Sequence, residues 1–128
     1  MPAHTFDYAI VRVVPRVERE EFVNCGAIVF CRTLGWLGAA IELDRARLAA
    51  LAPHVDGDEV ALALAAIPRI CAGEPDAGPV ARLPQPERFH WLVAPRSTIT
   101  QTSPVHSGLC IDPAAALERL MATMVRSC

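Results

Sequence analysis

The first third of the chain is apolar on both sides of its alternation. In FDYAIVRVVPR the residues Tyr8 to Val14 are hydrophobic on both alternating sets, interrupted by Arg12. That pattern predicts a central strand covered on both faces and ended by Pro15. After the charged turn VEREE, FVNCGAIVFC predicts a second covered strand from Phe22 to Cys31. WLGAAIEL predicts a third, Trp36 to Leu43, and the short turn at 33–35 makes the second and third strands an antiparallel hairpin.

The period then changes from two to three or four, and capping residues mark three helices. Asp44 caps a short one through Leu51, which Pro53 stops. Asp56 and Glu59 have capping-box spacing and open a second, with Val60, Leu64, Ile67 and Cys71 as its buried stripe and Gly73 as its stop. Pro68 inside it should kink it. Asp112 followed by Pro113 opens the third, with Leu117, Leu120, Met121 and Met124 as one stripe. Residues 73–88 are rich in proline and glycine and predict an irregular connection. The expected fold is therefore α+β: an antiparallel β-sheet with about three helices packed on one side, in a single compact domain spanning 1–128.

Composition narrows the class. At 128 residues and 52% hydrophobic content, the chain is long and apolar enough to build a core and too apolar for disorder. The formal net charge is −2, and arginine supplies every basic residue. An acidic balance with 5% aromatic residues disfavours nucleic acid as a partner. No apolar run is long enough for a membrane helix, and the first residues carry no export signal. The five cysteines form no C-x-x-C pair. Cys25 and Cys31 are expected on one face of the second strand, about 20 Å apart, too far for one disulfide or one metal. Reduced thiols in a cytoplasmic protein are the expectation.

The chemistry concentrates in ERFHWLVAPRSTITQTSPVHSGLC, residues 87–110. RSTITQTS is strand-like, with Arg96, Thr98, Thr100 and Thr102 on one face and Ser97, Ile99, Gln101 and Ser103 on the other. Either it is a solvated edge, open to homodimer pairing, or one polar face lines a site. Arginine beside hydroxyls suits a phosphate or carboxylate. His90 and His106 are candidate proton carriers or packing residues. His106 and Cys110 stand four positions apart without the second pair a metal site needs, so no metal and no cofactor is expected. Arg12 in mid-strand requires a partner: either an ion pair with Glu18, Glu20, Glu21 or Glu42, or an anion shared with Arg16 and Arg96. Asn24 and Gly26 leave room for close approach of a ligand or another backbone.

YAIVRVVPRVEREEFVNCGAIVFC and ERFHWLVAPRSTITQTSPVHSGLC resemble the two signature blocks of a bacterial family catalogued as domain of unknown function 3037, and the final DPAAALERL helix fits the same pattern. The pattern matches at Arg12, Pro15, Arg16, Glu20, Phe22, Asn24 and Gly26. It matches again at Arg88, Phe89, Trp91, Pro95, Arg96, Ser97, Ser103, Pro104, His106 and Gly108. Cys25 stands where the pattern has valine. The resemblance implies a small companion of kinase-like proteins of the HipA type, encoded alongside them.

Residues and resemblance together nominate Arg12, Arg16, Asn24, Arg88, His90, Trp91, Arg96, Ser97, Ser103 and His106 as ligand- or partner-binding. No paired acids and no glycine-rich phosphate loop are present in the sequence. The expected function is a non-enzymatic accessory module that binds a protein partner through an Arg/Ser/Thr/His-rich surface. The alternative is an enzyme or binding protein for a phosphorylated or otherwise anionic small molecule.

Overall fold

The structure, a computed structural model, describes residues 2–16, 19–96 and 98–126. Three long strands come first: β1 (His4–Arg16), β2 (Glu21–Cys31) and β3 (Trp36–Ile41). The helices α1 (Arg45–Leu51) and α2 (Gly57–Ala72) follow. Two single 3₁₀ turns, Pro75–Ala77 and Pro79–Arg82, lead to α3 (Gln85–Val93). The chain returns to the sheet as β4 (Thr100–Thr102) and β5 (His106–Cys110), and closes with α4 (Pro113–Leu120) and a π turn, Met121–Val125.

All strand pairing is antiparallel. β3 pairs with β2 and β2 with β1, and the other edge of β1 is shared by β4 and β5. The pairs Tyr8↔His106 and Val11↔Thr102 leave Ala9 and Ile10 facing Ser103, Pro104 and Val105, so β4 and β5 are one strand broken by a bulge. A second bulge lies in β2, where Val11 pairs with Gly26 but Arg12 with Asn24, leaving Cys25 without a partner.

Both faces of the sheet are core, as the doubly apolar strands require. Val11, Val13, Ile28, Phe30 and Leu37 pack under α1, α2 and α3 through Leu48, Leu64, Ile67, Phe89 and Leu92. The alternate set, with Phe6, Ile10, Ala27, Val29 and Cys31, packs under Ala116, Leu117, Leu120 and Met121. The α+β class is as expected, but the helices are not on one side. Three cover one face and α4 covers the other, because a strand apolar on both alternating sets must bury both.

The β2 bulge also corrects the cysteines. Adding one residue inverts the alternation, so Cys25 lies in the core beneath α2 while Cys31 lies in the core beneath α4. The thiol of Cys25 donates to Val11 O at 3.5 Å. Gly26 sits beside this bulge because a Cβ there would stand 2.6 Å from Ala40 O. Of the two visitors expected at Asn24 and Gly26, the one found is another backbone, β3.

The capping logic holds at three helices. Asp44 accepts from Arg47 N–H, Asp56 from Asp58 and Glu59 N–H, and Asp112 from Ala114 N–H. Gly73 ends α2 at φ 71°, in the left-handed region. α2 runs through Pro68 to Ala72 as a single element. The unexpected helix is α3, framed by Pro84 and Pro86 at its start and Pro95 after its end. The π turn after α4 rotates Met124 out of the predicted stripe: Met121 is fully buried and Met124 is exposed. No described helix is long and apolar enough to cross a membrane.

Candidate functional site

The candidate residues fall into three groups, held by different layers of the fold. The first is the C-terminal end of α3. A helix ends with carbonyls that lack intrahelical donors, and here Arg96 supplies donors. Its Nη1 donates to Leu92 O at 3.3 Å and its Nη2 to Trp91 O. The same guanidinium lies 4.3 Å over the Trp91 ring. Arg88 acts in the same way one helix earlier, donating to Leu83 O at 2.8 Å and to Cys71 O at 3.3 Å, which ties α3 to the end of α2. Trp91 remains 43% exposed, and His90 beside it is exposed in the last turn. Arg96 therefore precedes any strand, and the expected strand 96–103 shrinks to Thr100–Thr102. Ser97 lies outside the described residues.

The second group lies along the β4–β5 edge. Pro104 has no N–H, and the bulge removes a regular partner for Ile10. Ser103 fills that place. Its N–H donates to Ile10 O at 2.8 Å, and its Oγ accepts the Ile10 N–H at 2.9 Å while donating to Pro104 O at 2.9 Å. Ser103 is the buried polar residue among those described, with its hydroxyl engaged inside the sheet. His106 is exposed in β5, its ring 5.5 Å from that of Tyr8. His106 and Cys110 share a face of β5 but stand about 13 Å apart along it, beyond the reach of one metal. Among the described residues no group of three or more His, Cys, Asp or Glu is placed to hold a metal ion. The proline and the bulge interrupt the threonine-bearing edge, a device that blunts exposed strands.

The third group surrounds Arg12, on the α4 side of the sheet where the helix no longer covers it. Arg12 pairs with Asn24 on β2 and Gln101 on β4. Its guanidinium lies 4.1 Å over the Phe22 ring, and its Nε is buried without an acceptor among the described residues. Burial lowers its pKa below the ordinary arginine value. Of the ion-pair partners expected, Glu18 lies outside the described residues, and Glu20, Glu21 and Glu42 form no ion pair with Arg12. Glu21 holds Arg19 at 2.7 Å, and Glu42 binds Arg126, which also binds Glu118. Glu20, in the left-handed region at φ 56°, lines with Arg12, Val14, Phe22 and Gln101 an open cleft of ≈ 450 Å³. Asn24 donates through Nδ2 to Met124 O at 3.1 Å, fixing the π turn, while its Oδ1 is buried without a donor among the described residues.

The shared anion expected from Arg12, Arg16 and Arg96 has no geometric basis. Arg12 faces the α4 layer, and Arg96 is bound to α3 on the opposite one. Arg16 lies at the end of β1 beside a separate ≈ 210 Å³ cavity with Arg19 and His54. Sequence reasoning named Glu20 as a partner of Arg12 but missed Phe22 and Gln101 as its neighbours. The available signal was Phe22, an exposed aromatic at the start of an otherwise buried strand.

The arrangement defines an α+β protein with a twice-covered antiparallel sheet, an arginine-capped aromatic on α3 and an isolated arginine cleft at the hairpin end. The chain belongs to the family described as Protein of unknown function (DUF3037), whose model matches residues 8–125. No curated protein and no solved structure matches it.

Proposed function

We propose that this protein is a non-enzymatic accessory module that binds a protein partner through the exposed face of α3. The family resemblance points to a kinase-like protein of the HipA type as that partner. One observation carries the reading: the half-exposed Trp91 is held flat by Arg96, whose own guanidinium is fixed on two helix carbonyls. Aromatic and arginine side chains that lose little freedom on binding are the usual anchors of an interface. His90, exposed beside Trp91 in the last turn of α3, extends this face.

The test is the affinity of the purified protein for a kinase-like protein of the HipA type, by calorimetry, with Trp91→Ala in parallel. Loss of a central aromatic anchor costs about 2 kcal/mol or more, a fall of roughly thirtyfold. An affinity within about twofold of the parent would remove α3 as the binding face. Trp91→Ala is the cleaner variant, since Arg96→Ala would also uncap the helix.

A second reading, binding of a small anionic molecule, has its own support in Arg12, a half-buried cation without a counter-ion among the described residues.

A further inference from the structure

The cleft beside β1 brings together a cation and a carboxylate that do not close on each other. Arg12 stacks on Phe22 at 4.1 Å, so its guanidinium plane is fixed and its edge is what remains for a ligand. The buried Nε lacks an acceptor among the described residues. With Nε closed off inside the protein, the two Nη groups form the end-on fork that the cleft can reach, and their donors match the two oxygens of a carboxylate. Glu20 lines the same cleft but forms no ion pair with Arg12 among the described residues. The two charges sum to zero at the site, so a bare dianion such as phosphate gains little and meets Glu20 as a repulsion. A ligand carrying both charges meets both residues. Val14 and Phe22 supply an apolar wall, and Gln101 a neutral amide, in a cleft of ≈ 450 Å³, a usual size for a small-molecule site.

We propose that this cleft binds a zwitterion of the α-amino-acid class. The carboxylate lies on the Arg12 fork, the ammonium on Glu20, and the side chain against Phe22 and Val14. This rests on the Arg12 cleft of the second reading but replaces its anion with a net-neutral ligand, and it is independent of the α3 face, so either can fail without the other.

The test uses the isotope-labelled full chain, observed by NMR at its backbone amides and arginine Nε–H groups. It is titrated with an equimolar mixture of the common amino acids at millimolar concentration, then with each singly. The amino acid that responds is compared with its des-amino acid, its decarboxylated amine and inorganic phosphate. The expected result is a saturable shift of the Arg12 Nε–H and of the amides at 20–24 and 100–102, with each half-ligand at least about tenfold weaker. Arg12→Lys keeps the charge but removes the fork, and binding falls by about tenfold or more with the amide spectrum otherwise preserved. Glu20→Gln abolishes the preference for the amino acid over its des-amino form. No saturable shift at Arg12 with the mixture overturns the proposal. So does phosphate or the des-amino acid binding as tightly as the amino acid, or affinity unchanged in Arg12→Lys.

Discussion

Ser103→Ala tests whether a hydroxyl in the busiest stretch of the sequence belongs to the sheet. The substitution removes the acceptor of the Ile10 N–H, and Ile10 is 3% exposed, so water cannot replace it without opening the strand. The Pro104 carbonyl loses its donor as well, but it lies at an exposed residue and can turn to solvent. One buried donor left without a partner costs about 1–3 kcal/mol. For a chain of this length each kcal/mol corresponds to roughly 3–5 °C in Tm, so a fall of about 6–10 °C is expected at the middle of that range. Urea unfolding followed by circular dichroism should show a lower midpoint with an unchanged slope. Amide exchange at Ile10 should accelerate by the same free energy. Ser107→Ala is the matched control. Its hydroxyl donates to Asp7 at 2.7 Å in an exposed pair, and its loss should stay within about 0.5 kcal/mol. If Ser103→Ala proved no more costly than Ser107→Ala, the hydroxyl would not be holding the bulge.

Gly26→Ala should destabilise by about 2 kcal/mol or more, because its Cβ meets the Ala40 carbonyl at 2.6 Å. Gly108→Ala should cost less, since the obstacle there is the movable Phe6 ring at 2.9 Å; equal costs in denaturant titrations would contradict the distinction. Burial pushes the thiols of Cys25 and Cys71 up to about 12 from an ordinary 9. Between those values the unfolded chain has released protons that the native state retains, so stability should fall as pH rises from about 9 towards 12. Denaturation midpoints at pH 8 and pH 10, for the parent and for Cys71→Ala, would show whether the alkaline loss shrinks in the variant. Arg96→Lys cannot hold two carbonyls and the ring together. It should cost about 1 kcal/mol and speed amide exchange in the last turn of α3, and unchanged exchange there would count against the cap.

The first three strands and three of the helices were legible because each rests on a local rule: apolar runs for β1 to β3, aspartate caps for α1, α2 and α4. α3 was not, because it starts within a stretch, residues 73–88, whose four prolines and two glycines look like a loop. It is held by Arg96, which reaches the Trp91 and Leu92 carbonyls from beyond the helix, and by its own Arg88, which reaches Cys71 O at the end of α2, contacts that no local rule reports. The bulges were equally hidden. One inserted residue at Cys25 reverses which layer every later side chain meets, and Ser103–Pro104 reads as a turn until its partner Ile10 is known. At the site, Arg12 stood out as a charge in a strand, and the need for a partner followed. That the partner would be the Phe22 ring rather than a carboxylate required the β2 register, which the bulge sets.

The sharing of one edge of β1 between distant segments has a consequence for how the chain assembles. Along one edge β1 meets β2 directly after a turn, while along the other Ile10 meets Ser103, 93 positions further on. Closing a loop of that size costs roughly 4 kcal/mol of chain entropy, against far less for the hairpin. The β1–β2–β3 meander should thus be an early event, with the second edge of β1 closing late. During synthesis at about 5–20 residues per second, a valine-rich edge waits several seconds for its complement to emerge. In that interval the exposed row of backbone donors and acceptors is open to other chains, so yield in cells should depend more on co-translational protection than on the stability of the finished sheet.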